Sequence, residues 1–360
     1  MKAGKTIQEL LREIDRQQSV KADYLVNTSN LHVDTWNGKP SLHVLDNSGS
    51  ELVEPLDIHE RAHIQIGDYL GIPRKYYERM RTEDADLLAY NINRWFERKP
   101  EQRMLRTMDG HARAFLSNRY RRIDNLDIAQ ITLPLLFDMP EVRFESCNIT
   151  DDFMYIKAVN PKLTAEVTPG DVVQSGIVIS NSETGCGAVY IHPMIYRLVC
   201  KNGMTIDEIG TRRNHVGRLA ESDENFEIYS KETLKADDTA FIMKIQDSVR
   251  AAVDEVKFAR VVDVMRKSKD LKLDTRDLPA LVKLTGSSLG FTEDESKGVL
   301  QRLLEAADYS VYGLANAVTR FSQDVENYDR ASKLEQIGYS VLTMSPDLFR
   351  AINRVNSLAA

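Results

Sequence analysis

The residues with the plainest capacity for chemistry are arginines gathered in one stretch with aromatic and imidazole neighbours. Arg103, Arg106, His111, Arg113, Phe115, Arg119, Arg121 and Arg122 follow one another closely. Guanidinium groups can track phosphates while rings stack on bases, so this set has the ingredients of a single-strand nucleic-acid platform. The competing reading is an internal network in which the same arginines pair with Asp and Glu from elsewhere in the chain. A second basic segment, with Arg197, Lys201, Arg212 and Arg213, could extend the track if folding brings it alongside.

A different chemistry is spelled by His59-Glu60-Arg61-Ala62-His63, a literal H-E-x-x-H. On a helix its histidines would share a face, with Glu60 placed as a general base on zinc-bound water. Arg61 stands where zinc peptidases usually carry an uncharged residue, and no third ligand follows at a useful spacing. A zinc hydrolase through His59, Glu60 and His63 therefore ranks third among the functional readings. Cys147, Cys186 and Cys200 form no CxxC pair and read as reduced thiols. No phosphate-binding glycine loop is present, and neither a cofactor nor a metal site is expected.

The formal net charge is −7, which argues against a generic polyanion binder. The charge is uneven, however. Residues 90–122 hold nine Arg and Lys against three Asp and Glu, a local +6, so the remainder sums to −13. Local field rather than net charge decides whether a surface attracts phosphate. No apolar run is long enough to span a membrane. The start lacks the apolar core of a signal peptide, so a cytoplasmic location is expected.

Elements must hold these residues in place. The pattern predicts a helix over Thr6–Gln17, then short strands at Tyr24–Val26, Leu31–Val33 and Ser41–Leu45. Asp57 is expected to cap a helix running to Leu70, stopped by Gly71-Ile72-Pro73. Further helices are expected over Pro73–Met80, Ala85–Arg98 and Asn125–Phe137, with Pro134 bending or ending the last. Asp109-Gly110 between two alternating runs predicts a tight type I′ hairpin. Its simplest register sets Arg106 opposite Arg113, a like-charge pair that something must offset. Residues 142–159 and 172–199 should be strands, joined within the second by a turn at Ser182–Gly187. From about Lys235 the pattern becomes helical. Ile242, Ile245, Val249, Ala252, Val256 and Ala259, spaced 3-4-3-4-3, predict one long helix over Asp237–Lys267 with a seam suited to self-association. Shorter helices should follow at Asp277–Leu284, Glu293–Ala307, Tyr312–Asn327 and Arg330–Leu342. The expected architecture is α+β: a mixed, mainly antiparallel sheet domain over residues 1–234, then a helical region over 235–360.

Several runs carry a resemblance: Gly71-Ile72-Pro73, Asn91–Trp95 (NINRW), Arg113–Asn125 (RAFLSNRYRRIDN), Asn181–Gly185 (NSETG), Tyr196–Met204 (YRLVCKNGM) and Tyr312–Thr319 (YGLANAVT). Together they are similar to the "phage/plasmid-like protein" family, a domain of unknown function of bacteriophages, plasmids and prophages. The resemblance implies a mobile-element protein acting in a bacterial cytoplasm, and it brings no assigned catalytic residue. The resulting expectation is a non-enzymatic nucleic-acid-binding protein, with DNA, single strands included, as partner in annealing or recombination. A protein that binds and modulates a host or phage protein is the alternative. Self-association through residues 237–267 is expected, and no membrane is.

Overall fold

The computed structural model describes residues 1–120, 122–207, 211–213 and 231–354. In chain order the elements of the first part are α1 (Ile7–Val20), β1 (Lys21–Asn27), β2 (Leu31–Trp36), β3 (Lys39–Val44), β4 (Leu56–Ile58), α2 (Glu60–Leu70), α3 (Arg74–Glu83), α4 (Ala85–Arg98), β5 (Gln102–Met108), β6 (His111–Ser117) and α5 (Asn125–Phe137). A second run of strands follows: β7 (Arg143–Ile149), β8 (Met154–Glu166), β9 (Val172–Asn181), β10 (Val189–Arg197), β11 (Asn202–Thr205) and β12 (Thr211–Arg213). The chain then turns helical with α6 (Lys231–Ala252), α7 (Glu255–Asp270), α8 (Leu278–Leu289), α9 (Glu293–Ala306), α10 (Val311–Phe321), α11 (Tyr328–Leu342) and α12 (Pro346–Arg354). This is an α+β arrangement, two mostly antiparallel sheets followed by helices. Among the described residues, no helix is long and apolar enough to cross a membrane.

The first sheet runs β1-β5-β6-β4-β3-β2, and only its β4–β6 pairing is parallel. Alternating Val33, Leu42, Leu105 and Phe115 turn one face inward, where Ile66, Tyr77, Leu88, Ile92 and Phe96 from α2, α3 and α4 close the core. The second sheet runs β11-β10-β9-β8-β7, and β12 also pairs with β10. Its face of Met154, Ile156, Ile177 and Ile179 packs beneath α1, α5 and α6. The other face meets α11 through Lys157, whose ammonium lies 2.7 Å from Glu335 with both side chains wholly buried.

Local chemistry explains most boundaries. Thr6 and Glu9 form a capping box at α1. Gly71, left-handed at φ 67°, ends α2 as expected. Asp109 and Gly110, at φ 53° and 76°, make the hairpin turn the sequence announces.

Three expectations are corrected. Asp57 lies in β4, hydrogen-bonded to Gly110, and His59 takes the N-cap position of α2. Arg106 does not face Arg113: after Thr107 pairs with Ala112 the register slips, and Arg106 pairs with Ala114. Arg113 is the extra residue of a β-bulge, which relieves the like-charge opposition a regular ladder would impose. The single long helix is two, broken before Asp254, whose carboxylate accepts from the Lys257 N–H at the start of α7. Ile245, Val249 and Ala252 accordingly sink into the protein's own core, while Ile242 and Val256 stay exposed.

Candidate functional site

Folding brings several sequence-selected arginines together, at the junction of the two sheets. The Arg106 side chain is only 2% exposed. Its Nε donates to Asp23 Oδ1 at 2.8 Å, Nη2 to Asp124 Oδ1 at 2.6 Å and Nη1 to the Glu183 carbonyl at 3.0 Å. Arg113 Nη1 reaches Glu183 Oε2 at 3.2 Å, and Lys21 lies 2.8 Å from Asp124 and 3.3 Å from Glu183. The Asn125 N–H completes Glu183 at 2.7 Å. Lys21, Arg106 and Arg113 thus meet three carboxylates, and the exposed Arg122 adds a fourth positive charge at the Asp23 side. Burial pushes the Asp124 carboxyl up, but the Arg106 and Lys21 charges outweigh it and hold it below its ordinary range. Asp23 and Glu183 come from 83 and 70 residues away.

The other selected residues are dispersed. Phe115 is buried and stacked on Phe96, with ring centroids 5.8 Å apart, and so is closed to a base. Arg103 lies over the Tyr69 and Phe115 rings at 4.6 and 5.0 Å. His111 is half-exposed and bonds the Asp109 carbonyl. Arg119 and Arg122 are exposed, the latter 3.5 Å from Asp23. Arg197 grips Asp171 with two bonds of 2.5 and 2.9 Å, and the Tyr312 hydroxyl donates to the same carboxylate. Lys201 is exposed in the turn before β11. Arg212 and Arg213 fall on β12 opposite Tyr190 and Val189. Arg121 lies outside the described residues.

The H-E-x-x-H residues diverge. His59 precedes α2 and sits 3.5 Å from Asp151, whereas His63 is buried with its Nδ1 2.9 Å from the Tyr77 hydroxyl. Burial, with Arg81 nearby, drives the His63 imidazole down to about 4. Glu60 is engaged by Arg81 at 2.6 Å. Among the described residues no three His, Cys, Asp or Glu side chains are grouped to hold a metal ion. The Cys186 thiol donates to Asp152, which Arg61 also binds, and burial pushes that thiol up to about 12. A thiol so protonated is a poor nucleophile.

The runs that carry the resemblance turn out to be joints. In NSETG, Asn181 bonds the Ile123 carbonyl and Asn125, Glu183 anchors the ion cluster, and the Thr184 carbonyl accepts from Gln65. In NINRW, the Asn93 amide bonds both the N–H and the C=O of Val33, each at 2.7 Å. In YGLANAVT, Gly313 packs where a methyl group would collide with the Asp308 carbonyl, and Thr319 bonds Asn202 of YRLVCKNGM.

What remains open to a ligand lies elsewhere, on α4. Leu88, Ile92 and Phe96 bury one stripe of that helix. The opposite stripe, at the same spacing of three to four, carries Leu87, Tyr90, Arg94 and Arg98, all exposed, with Trp95 at its flank. The Arg98 guanidinium sits 5.5 Å from the Trp95 ring centroid. Thr35 near the end of β2 bonds Asp86 in the first turn of α4. Tyr90 is 66% exposed, Trp36 74% and Trp95 44%. These two are the only tryptophans in the chain. The arginine-rich hairpin draws attention in the sequence, but the buried periodicity of Leu88, Ile92 and Phe96 already implies this outward face.

Fold and site together define an α+β protein whose signature residues knit two sheets and a helical region, with an aromatic and cationic helix face on the outside. The chain belongs to the family described as Domain of unknown function (DUF932), which it matches over residues 114–337. That span takes in Asp124 and Glu183 of the sheet junction, the second sheet and the helices as far as α11, whereas Lys21, Asp23, Arg106, Arg113 and α4 lie before it. No curated protein and no solved structure matches the chain.

Proposed function

We propose that the protein binds nucleic acid without catalysing a reaction on it, using the outer face of α4 together with Trp36. The observation that carries this reading is the exposure of both tryptophans, Trp95 beside Arg98 on α4 and Trp36 at the end of β2. Tryptophan is largely buried on average, so leaving both in water is a cost that calls for a partner. Ring-on-base stacking contributes about 1–3 kcal/mol per base and suits any base, which favours a single strand. Arg98 and Lys99, at the end of α4, form no salt bridge among the described residues, where Arg94 is bridged to Glu97, so their charge is free to meet phosphates. Capture by charge followed by stacking needs neither metal nor cofactor. The likeness to phage/plasmid-like proteins supports a role in mobile-element DNA metabolism, such as a single-strand annealing or recombination accessory.

A protein partner is the second reading, favoured by the apolar half of the stripe, Leu87 and Tyr90, which a partner groove would cover. Titration of single- and double-stranded DNA at two salt concentrations separates the two. The native chain should bind the single strand more tightly. Arg94→Ala with Arg98→Ala should weaken that binding and lower the log–log salt slope by about 0.7 for each phosphate no longer neutralised. Absence of binding to any nucleic acid would turn the reading to the protein partner.

A further inference from the structure

Asparagine followed by glycine occurs twice in the chain, at Asn37-Gly38 and Asn202-Gly203. Asparagine is among the chemically labile residues, and a following glycine makes it more so. The glycine backbone nitrogen, with no Cβ beside it to block the approach, can attack the asparagine side-chain carbonyl carbon. A new Cγ–N bond forms, the Cγ–Nδ2 bond breaks and ammonia leaves. The cyclic imide then takes up one water and opens to aspartate, or to isoaspartate when the backbone carbonyl is the one attacked. Water is the only co-reactant.

The fold treats the two pairs in opposite ways. Asn37 and Gly38 are the two-residue turn between β2 and β3, closed by the Trp36–Lys39 pair. Both are exposed, at φ 50° and 74°, the left-handed pair that a type I′ turn requires. The Asn37 side chain has no partner among the described residues, and the space around Gly38 is open. Closing the imide ring turns the Asn37–Gly38 peptide, and at a hairpin tip this disturbs only the last rung of the ladder. Asn202 lies on β11, only 2% exposed, and its Nδ2 donates to Thr319 and Asn316 of α10. Gly203 is seated against Met194 and Met1. Turning that peptide would unseat β11 from α10, an opening whose cost approaches that of global unfolding.

We propose that Asn37 is a site of spontaneous deamidation and that folding protects Asn202 from the same reaction. The modification places a carboxylate next to Trp36 in the chain, and the isoaspartate product also lengthens the backbone of a turn built for two residues. A consequence follows for binding, and it rests on the nucleic-acid reading above. A negative charge beside an exposed ring repels a phosphate backbone, so the aged chain should hold a single strand less tightly than the fresh one.

The site itself is tested without nucleic acid. The full native chain is aged at mildly alkaline pH, and peptide mapping by mass spectrometry follows each asparagine, isoaspartate included. Asn37 should convert faster than Asn202 by about tenfold or more, as the difference between local and global opening requires. In urea the two rates should converge. A folded chain in which Asn37 keeps its amide as long as Asn202 does overturns the proposal, and so does a gap that persists in urea. Asn37→Gly, which keeps a type I′ turn, separates this result from the nucleic-acid reading. Single-strand affinity should fall on ageing in the native chain and hold in the variant. Affinity retained equally by both overturns the consequence for binding. No affinity in either chain counts against the nucleic-acid reading and leaves the mapping result to decide the modification.

Discussion

The hairpin arginines and the α4 arginines share one side chain and live in opposite surroundings. Arg106 and Arg113 are buried, and each is matched to carboxylates whose charges it cancels. Arg94 and Arg98 are exposed at the end of a helix, beside Trp95, and among the described residues the only carboxylate bridged to either is that of Glu97, 3.5 Å from Arg94. A guanidinium inside is a joint because its desolvation is repaid only by fixed partners, whereas one in water is free to exchange partners. Charge density along the sequence is thus a weaker guide to a binding surface than the supply of carboxylates that folding delivers.

The contrast is most exposed to refutation at Arg106. Arg106→Ala leaves Asp23 to the exposed Arg122 and Asp124 to Lys21, and removing one partner of a buried pair costs about 3–5 kcal/mol. Urea unfolding should show a loss of that size. A variant as stable as the native chain would mean that the cluster does not hold the two sheets together.

A second test uses the interior against pH. His63 is kept neutral, its titration lowered from 6.5 to about 4 chiefly by burial. Between those values the unfolded chain takes up a proton that the folded chain refuses. Stability is therefore full above about pH 6.5 and falls as the pH drops toward 4, by on the order of 3 kcal/mol. In His63→Gln, which keeps a polar partner for Tyr77, this fall in stability between pH 6.5 and 4 should vanish. An unchanged slope would place the imidazole in water.

The smallest stability effect is expected on the outside. Arg94→Ala with Arg98→Ala should leave the unfolding midpoint where it is while weakening nucleic-acid binding. A clear loss of stability would make these residues structural too, and the contrast between the two regions would fail.

Much of the architecture was legible in the residues. Ala85–Arg98 and Asn125–Phe137 match their helices end to end, because a buried period of three to four and an acidic cap mark each. The Asp109-Gly110 turn was equally plain. The bulge at Arg113 was not, since alternation read outward from a turn assumes an unbroken ladder. Nor was the neutralisation of Arg106, because Asp23 and Glu183 are local nowhere in the chain except in three dimensions. The break before Asp254 was hidden by an apolar spacing that runs on across it, although Asp254 itself is the kind of residue that starts a helix.

If α4 with Trp36 forms the contact surface, the chain carries its own reporter for it. Trp95 stands on that surface and Trp36 is exposed at the end of β2, so tryptophan fluorescence should be quenched, saturably and reversibly by salt, as a single-stranded oligonucleotide is titrated into the native protein. Stacking on the rings predicts that the quench tracks binding measured independently by anisotropy. Binding that leaves the tryptophan emission unchanged would rule this surface out.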